Sequence, residues 1–263
     1  MKRFIFIIFL LFSAMALFAQ DKPAAPPDSV LVPILIYHAI RPIKSTDTQA
    51  ILNYVCTPPT LEKELSYLKT HNYHSISFAD LVAHFKEGQV LPENPVIISF
   101  DDSWEDQLTY GVPLLKKYGF TATFFIIVGA VEIEERHQMS WDDISELVAD
   151  GMEIGCHSWS HPNLTQIRYI SRLNRELIDS KTLLESKIGK PVTAFAYPYG
   201  QYNDTVINLL KNAGYTCARG TYPGVVHTSQ DLFTLTGIIR TESLAYFTND
   251  LGDYIGRFER VVK

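Results

Sequence analysis

The chain is poor in cysteine, with three in 263 residues: Cys56, Cys156 and Cys217. A small, odd number excludes a disulfide framework as the main source of stability, so a hydrophobic core has to supply it. Positive charge is also scarce. Lys and Arg number 23 against 29 Asp and Glu, a formal net charge of −6. That balance argues against nucleic acid or anionic polymers as partners and is compatible with a neutral one. No apolar run reaches the roughly 20 residues of a spanning helix, and neither an internal repeat nor a low-complexity tract is present. The N-terminal apolar run, Phe4 to Phe12, is short, follows Lys2 and Arg3 and precedes mostly small residues. It reads as a signal peptide over 1–19, cleaved after Ala19 or near Ala16, with an uncleaved membrane anchor as the competing reading. Residues 20–30, which include DKPAAPPD, read as a flexible lead. Residues 31–263 then form one domain, secreted or periplasmic in a bacterial manner, with no stable membrane insertion.

Apolar runs and amphipathic segments alternate along that domain. Strands are expected at Leu31–Tyr37, Pro95–Phe100, Ala122–Val128, Met152–Cys156, Val192–Tyr197, Tyr215–Ala218 and Phe233–Ile239. Helices are expected at Thr60–Asn72, Phe78–Phe85, Asp106–Tyr118 with a kink or late start at Pro113, Trp141–Asp150 capped by Ser140, Tyr169–Ile188, Asn203–Ala213 and within Leu244–Val261. Repeated strand–helix units imply an α/β fold with a parallel sheet and right-handed crossovers. Periodicity does not separate an open doubly wound sheet from a closed barrel.

Two of these strands end in chemistry. Pro95–Trp104, PVIISFDDSW, runs from β-branched residues into two adjacent carboxylates, Asp101 and Asp102. Sites of α/β proteins lie at such carboxyl ends. Adjacent negative charges repel, and a bound cation would reconcile them; the plainer reading makes one Asp a helix cap and leaves the other in water. Met152–His161, MEIGCHSWSH, repeats the pattern with His157 and His161. Placed four apart, their imidazoles share a face if the loop takes a helical turn. One Asp and two His make three protein ligands and leave a position for water, as in a catalytic divalent-metal site. The donor set suits zinc and also cobalt, nickel or iron.

SFDDSW and HSWSH together resemble the first two motifs of the polysaccharide deacetylases, the NodB-homology carbohydrate esterases. VPILIYHAI at Val32–Ile40, YGVPLLKKYGFTATFFI at Tyr110–Ile126, FAYPYG at Phe195–Gly200 and AGYTCA at Ala213–Ala218 are similar to further stretches of the family. The resemblance runs from Val32 to Ala218 and implies a distorted, incomplete (β/α) barrel. It also implies a metal-dependent deacetylase acting on acetylated glycans. In that pattern Asp101 is the general base, Asp102, His157 and His161 hold one divalent metal, most simply zinc, and the backbone N–H of Tyr199 helps hold the oxyanion. The chemistry is coherent on its own terms, since a divalent ion activates water and polarises a carbonyl, and a carboxylate beside it can take the proton.

The departures are specific. Ser103 replaces the usual Gly after the aspartates, and Ala196 stands where the family carries an Arg that pairs with the base. The Leu-x-His that carries the general acid is missing from LTGIIR at Leu235–Arg240. His38, after the first strand, and His227, in a polar stretch that reads as solvated, are the available substitutes. Trp104 and Tyr199, with Pro198 and His38, are candidate substrate contacts, because sugar-binding pockets are often lined with aromatic rings; ordinary packing is the alternative. Three functions therefore stand: an N-deacetylase of N-acetylglucosamine glycans, an O-acetyl esterase of xylan type with the same site, and a glycan-binding protein on the same scaffold.

Overall fold

The computed structural model describes residues 29–242. The N-terminal leader expected over 1–19, most of the flexible lead and the helix expected within Leu244–Val261 lie outside the described residues.

Eight strands form one sheet in which every pairing is parallel. They are β1 (Ile34–Tyr37), β2 (His74–Ser75), β3 (Pro95–Phe100), β4 (Thr123–Ile126), β5 (Glu153–Cys156), β6 (Ala194–Ala196), β7 (Cys217–Arg219) and β8 (Ile238–Ile239). The spatial order is β7-β6-β5-β4-β3-β1-β8, with the two-residue β2 paired to the start of β3. The expected strand Leu31–Tyr37 is divided. Ser29–Leu31 pairs antiparallel with Val226–Thr228, and only Ile34–Tyr37 enters the main sheet.

The sheet curls until its edges almost meet, which is the incomplete barrel. The seam is the stretch expected as a strand over Phe233–Ile239. Leu235 makes a single parallel bridge to Arg219 on β7, and after Gly237 the chain changes partner and pairs with β1 as β8. Gly237 lets the chain pass close to β1 here, since an added Cβ would stand 2.7 Å from Ile36 Cδ1 and 3.2 Å from the Ile34 carbonyl oxygen and would displace the Ile36 side chain.

Alternation along the strands divides the core in two. Leu35, Tyr37, Ile98, Phe100, Phe124, Ile126 and Phe195 face outward beneath the helices. Ile34, Ile36, Ile97, Phe125, Ala194, Ala196 and Cys217 pack on the opposite, inner side. Helices Pro58–Thr70, Phe78–Glu87, Trp141–Ala149 and Asp204–Asn212 fall within a few residues of their expected positions, and Ser140 caps the third of these as expected. Two expected helices carry an insertion. Each contains a π-turn, at Gln107–Gly111 ahead of Val112–Tyr118 and at Arg175–Asp179 between Ile170–Asn174 and Ser180–Ile188. π-Turns are rare and are frequently found at functional sites. All three cysteines are free and buried, and no described helix is long and apolar enough to cross a membrane.

Candidate active site

The carboxyl ends of β1, β3, β5, β6 and β7 converge on one mouth of the barrel. β3 delivers Asp101, whose N–H donates to the Tyr37 carbonyl at 2.9 Å and so extends the ladder by one residue. The chain then turns sharply through Asp102 and Ser103, at φ 72° and 53°. This left-handed region favours glycine, which explains why a Gly usually stands at the position of Ser103. Ser103 is held there by its hydroxyl, which accepts the Ile127 N–H at 3.2 Å. β5 delivers His157, whose N–H donates to the Ile126 carbonyl at 2.8 Å.

The two histidines converge, but not on a helical turn. Ser158 and His161 are left-handed, at φ 67° and 54°, and the loop between them is irregular. The rings nevertheless lie with centroids 4.7 Å apart. With Tyr199 at φ 57°, five of the nine non-glycine residues with positive φ in the described chain belong to this one site. Strain of this kind persists where the surroundings enforce a functional geometry.

Asp102 Oδ1 stands 3.5 Å from His157 Nε2 and 3.6 Å from His161 Nε2. Ligands about 2.0–2.1 Å from a tetrahedral ion are separated by roughly 3.3 Å, so this set fits one divalent cation with little movement. The ligand atoms all lie within 4.8 Å of one another. The orientation of His157 fits too. Its Nδ1 lies 2.8 Å from the Ala196 carbonyl, which can only accept, so Nδ1 carries the proton and Nε2 presents its lone pair to the site.

Without an ion, a proton competes for the same three groups. Burial opposes the Asp102 carboxylate, but the His157 imidazole hydrogen-bonded to it, with His38 and His161 nearby, holds its carboxyl well below the usual range. For His161, burial and then His157 lower the pKa to about 4, so it rests neutral and ready to ligate. For His157, burial is outweighed by the Asp101 and Asp102 carboxylates, and its pKa is raised.

Asp101 does not face this cluster alone. It is 2 % exposed, and its Oδ1 accepts a hydrogen bond from Nη2 of the fully buried Arg219. This answers the absence of Arg at Ala196. In the parallel register Ala196 pairs with Arg219, so the two residues lie side by side on neighbouring strands. The methyl group at 196 leaves the volume, and the next strand supplies the guanidinium. Arg219 also stacks over Phe125 at 4.7 Å. A charged residue directly after the apolar strand Tyr215–Ala218 was the available sequence signal.

On its other side Asp101 meets His38, with Nε2 3.8 Å from Asp101 Oδ2. Burial lowers the His38 pKa, against the pull of the Asp101 and Asp102 carboxylates. Gln107, in the first π-turn, ties the two together from behind. Its Nε2 donates to the carbonyls of His38 at 2.9 Å and Asp101 at 2.6 Å. Sequence patterning marked Gln107 only as one more helical residue.

Trp104 and Asp102 line two cavities, one on either side of the triad. The larger, about 930 Å³, extends past His38 to Tyr54, Ile51 and Tyr110; the smaller, about 420 Å³, extends past His161 to Trp159 and Ile133. Tyr199 is 62 % exposed, its ring 4.8 Å from that of His161, and buried Pro198 sets the turn from which it projects.

His227 is not part of the site and is not solvated. It is 1 % exposed, sits on the short strand Val226–Thr228 paired with Ser29–Leu31, and bonds to the Val32 carbonyl at 3.0 Å. Burial lowers its pKa to about 4. The unfolded chain therefore binds a proton below about pH 6.5 that the folded protein refuses until about pH 4, and stability falls as pH drops through that window. At pH 4.5 this one group accounts for about 2 kcal/mol of lost stability. Urea unfolding at pH 7 and 4.5 is expected to show a correspondingly smaller acid loss in His227→Gln than in the wild type; equal losses would contradict the assignment.

A curled parallel half-barrel with an Asp–His–His cluster and a guanidinium-paired aspartate at its mouth defines the class. The polysaccharide deacetylase family model matches residues 88–218, and the chain belongs to that family. It is similar to YxkH of Bacillus subtilis (strain 168), provisionally named a polysaccharide deacetylase, at 26 % identity over 82 % of this chain and 71 % of that protein. It is also similar to the poly-beta-1,6-N-acetyl-D-glucosamine N-deacetylase of Staphylococcus aureus (strain MRSA252), at 28 % identity over 64 % of this chain and 62 % of that one. The match thus spans less than two thirds of the staphylococcal protein. Among solved structures, the Streptococcus pyogenes deacetylase PplD in complex with acetate superposes with a TM-score of 0.78 at 25 % identity, covering 87 % of this chain and 98 % of that one.

Proposed function

We propose that the protein is a secreted, metal-dependent deacetylase that hydrolyses N-acetyl groups of N-acetylglucosamine-containing glycans to free amine and acetate. The observation that carries this reading is the placement of Asp101 between Arg219 and His38 beside the Asp102, His157 and His161 set. Asp102, His157 and His161 would hold a divalent ion, zinc most simply and otherwise cobalt, nickel or iron, which would polarise the acetyl carbonyl and lower the pKa of water at the site.

The protein's own residues do the rest. Asp101, oriented by Arg219, takes the proton of the attacking water at Oδ2, the oxygen that faces His38. The Tyr199 N–H, on its left-handed turn, meets the oxyanion that develops as the new C–O bond forms. His38, neutral at rest because burial lowers its pKa, receives the proton from Asp101 and passes it from Nε2 to the departing nitrogen as the C–N bond breaks. His38 thereby fills the place of the missing Leu-x-His acid. The two cavities flanking Trp104 leave room for sugar units on both sides of the reacting one.

An amine leaves only when protonated, whereas an alkoxide needs less help. The proximity of His38 to Asp101 therefore favours amide over ester hydrolysis, and the staphylococcal relative is named for an N-deacetylase. The binding-protein reading rests on a missing Arg and a missing acid; Arg219 bonded to Asp101 and His38 beside it weigh against both reasons. Acetate release from β-linked N-acetylglucosamine oligomers and from acetylated xylan, under one assay with zinc present, is the test. Release from the former at least about tenfold faster is expected, about 1.4 kcal/mol of barrier. Faster release from xylan would replace this reading by the esterase one.

A further inference from the structure

We propose that Glu176 is a positioning residue for the metal site, holding the loop that carries His157 and His161 in its ligating shape. The inference rests on the reading of Asp102, His157 and His161 as metal ligands. Glu176 touches none of them. It lies in the second π-turn, Arg175–Asp179, and is 2 % exposed. Its Oε2 accepts the backbone N–H groups of Trp159 at 3.0 Å and Ser160 at 2.8 Å, and its Oε1 accepts the Ser160 hydroxyl at 2.7 Å.

The loop needs such a brace. Ser158 and His161 are both left-handed, so residues 157–161 form no regular turn that would satisfy these N–H groups internally. One wall of the loop is already fixed, since Gly129 donates to the Trp159 carbonyl at 2.8 Å and a Cβ at position 129 would stand 2.6 Å from that oxygen. Glu176 closes the other side. The residue before it joins in, with the Arg175 guanidinium 4.9 Å over the Trp159 ring. One extra residue in the helical turn puts Glu176 opposite the loop while Leu173, Leu177 and Leu184 stay in the core. With residues 159 and 160 pinned from both sides, the chain reaches His161 with its Nε2 beside Asp102.

Reach, not charge, carries this role. A glutamine at 176 can keep every contact, its carbonyl accepting both N–H groups and its amide donating to Ser160 Oγ. An aspartate keeps the charge and withdraws both oxygens from the loop. The test is zinc affinity of the metal-stripped protein, titrated against a competing chelator, with no glycan present. Glu176→Asp is expected to bind zinc about 10–100-fold more weakly and Glu176→Gln to stay within about threefold of the wild type.

Glu153 provides the control. At the opposite end of β5, its carboxylate accepts two consecutive N–H groups, from Phe78 and Ala79, and the Thr123 hydroxyl, far along the strand from the ligands. Glu153→Asp makes the same change in a comparable, partly buried brace and is expected to lower the unfolding temperature without altering zinc affinity. The proposal is overturned if Glu176→Asp binds zinc like the wild type, or if Glu176→Gln weakens it as much as Glu176→Asp. Asp102→Asn separates the two levels: undiminished zinc binding in that variant would overturn the ligand reading itself.

Discussion

Arg219→Met is expected to cost the folded protein about 3–5 kcal/mol and to lower kcat by about 100-fold in the material that remains folded. The stability loss arises because Asp101 is 2 % exposed and Arg219 is fully buried, so removing the guanidinium strands a carboxylate away from water. Breaking a buried ion pair from one side is far more damaging than replacing both partners. The rate loss arises because the guanidinium fixes the carboxylate that has to meet the attacking water, and a displacement of about 1 Å at such a group costs about 100-fold. Arg219→Lys is expected to recover part of the stability and little of the rate, since a point charge on a shorter stem cannot reproduce a planar fork stacked over Phe125. Denaturant unfolding and initial rates of acetate release measure the two effects separately. Unchanged kcat in a folded Arg219→Met protein would show that Asp101 is oriented by something else.

The sequence made the two strand-end motifs legible because each side chain follows directly from a buried apolar run. Asp101 and Asp102 had to leave β3 at its carboxyl end, and His157 had to leave β5 at the same end of the same sheet. What could not be read was sideways information. That Arg219 replaces the arginine missing at Ala196 depends on the register of two neighbouring strands, which no local pattern encodes. Gln107 and Glu176 were invisible for a related reason, because helical periodicity assigns each residue a face and a π-turn changes that assignment midway. The spacing of His157 and His161 predicted their convergence while naming the wrong cause. Left-handed residues at Ser158 and His161, not a helical turn, bring the rings together. The pattern over Phe233–Ile239 reads as one strand, whereas the chain changes partner within it, and a lone glycine at 237 does not say which strands it joins. His227 looked solvated because its neighbours are polar, yet tertiary pairing with Ser29–Leu31 buries it.

The largest loss of activity is expected at Asp101. Asp101→Asn keeps the shape and the buried volume but cannot accept a proton, and general-base catalysis contributes about 10²–10⁴-fold. Asp101 is not among the three clustered ligands, so zinc should still bind the variant as it binds the wild type. Chelation acts on the other half of the machinery. Under the proposed mechanism it would remove the ion that polarises the carbonyl and leave the base in place, and the loss is expected to reverse when metal returns.

These two interventions converge on one measurement, acetate release from N-acetylglucosamine oligomers by four samples: wild type, wild type after chelation, chelated wild type given one equivalent of zinc, and zinc-loaded Asp101→Asn. The account predicts release, none, release restored, and a rate reduced by about 10²–10⁴ despite bound zinc. Full activity in a demonstrably metal-free wild type, or in Asp101→Asn, would contradict it.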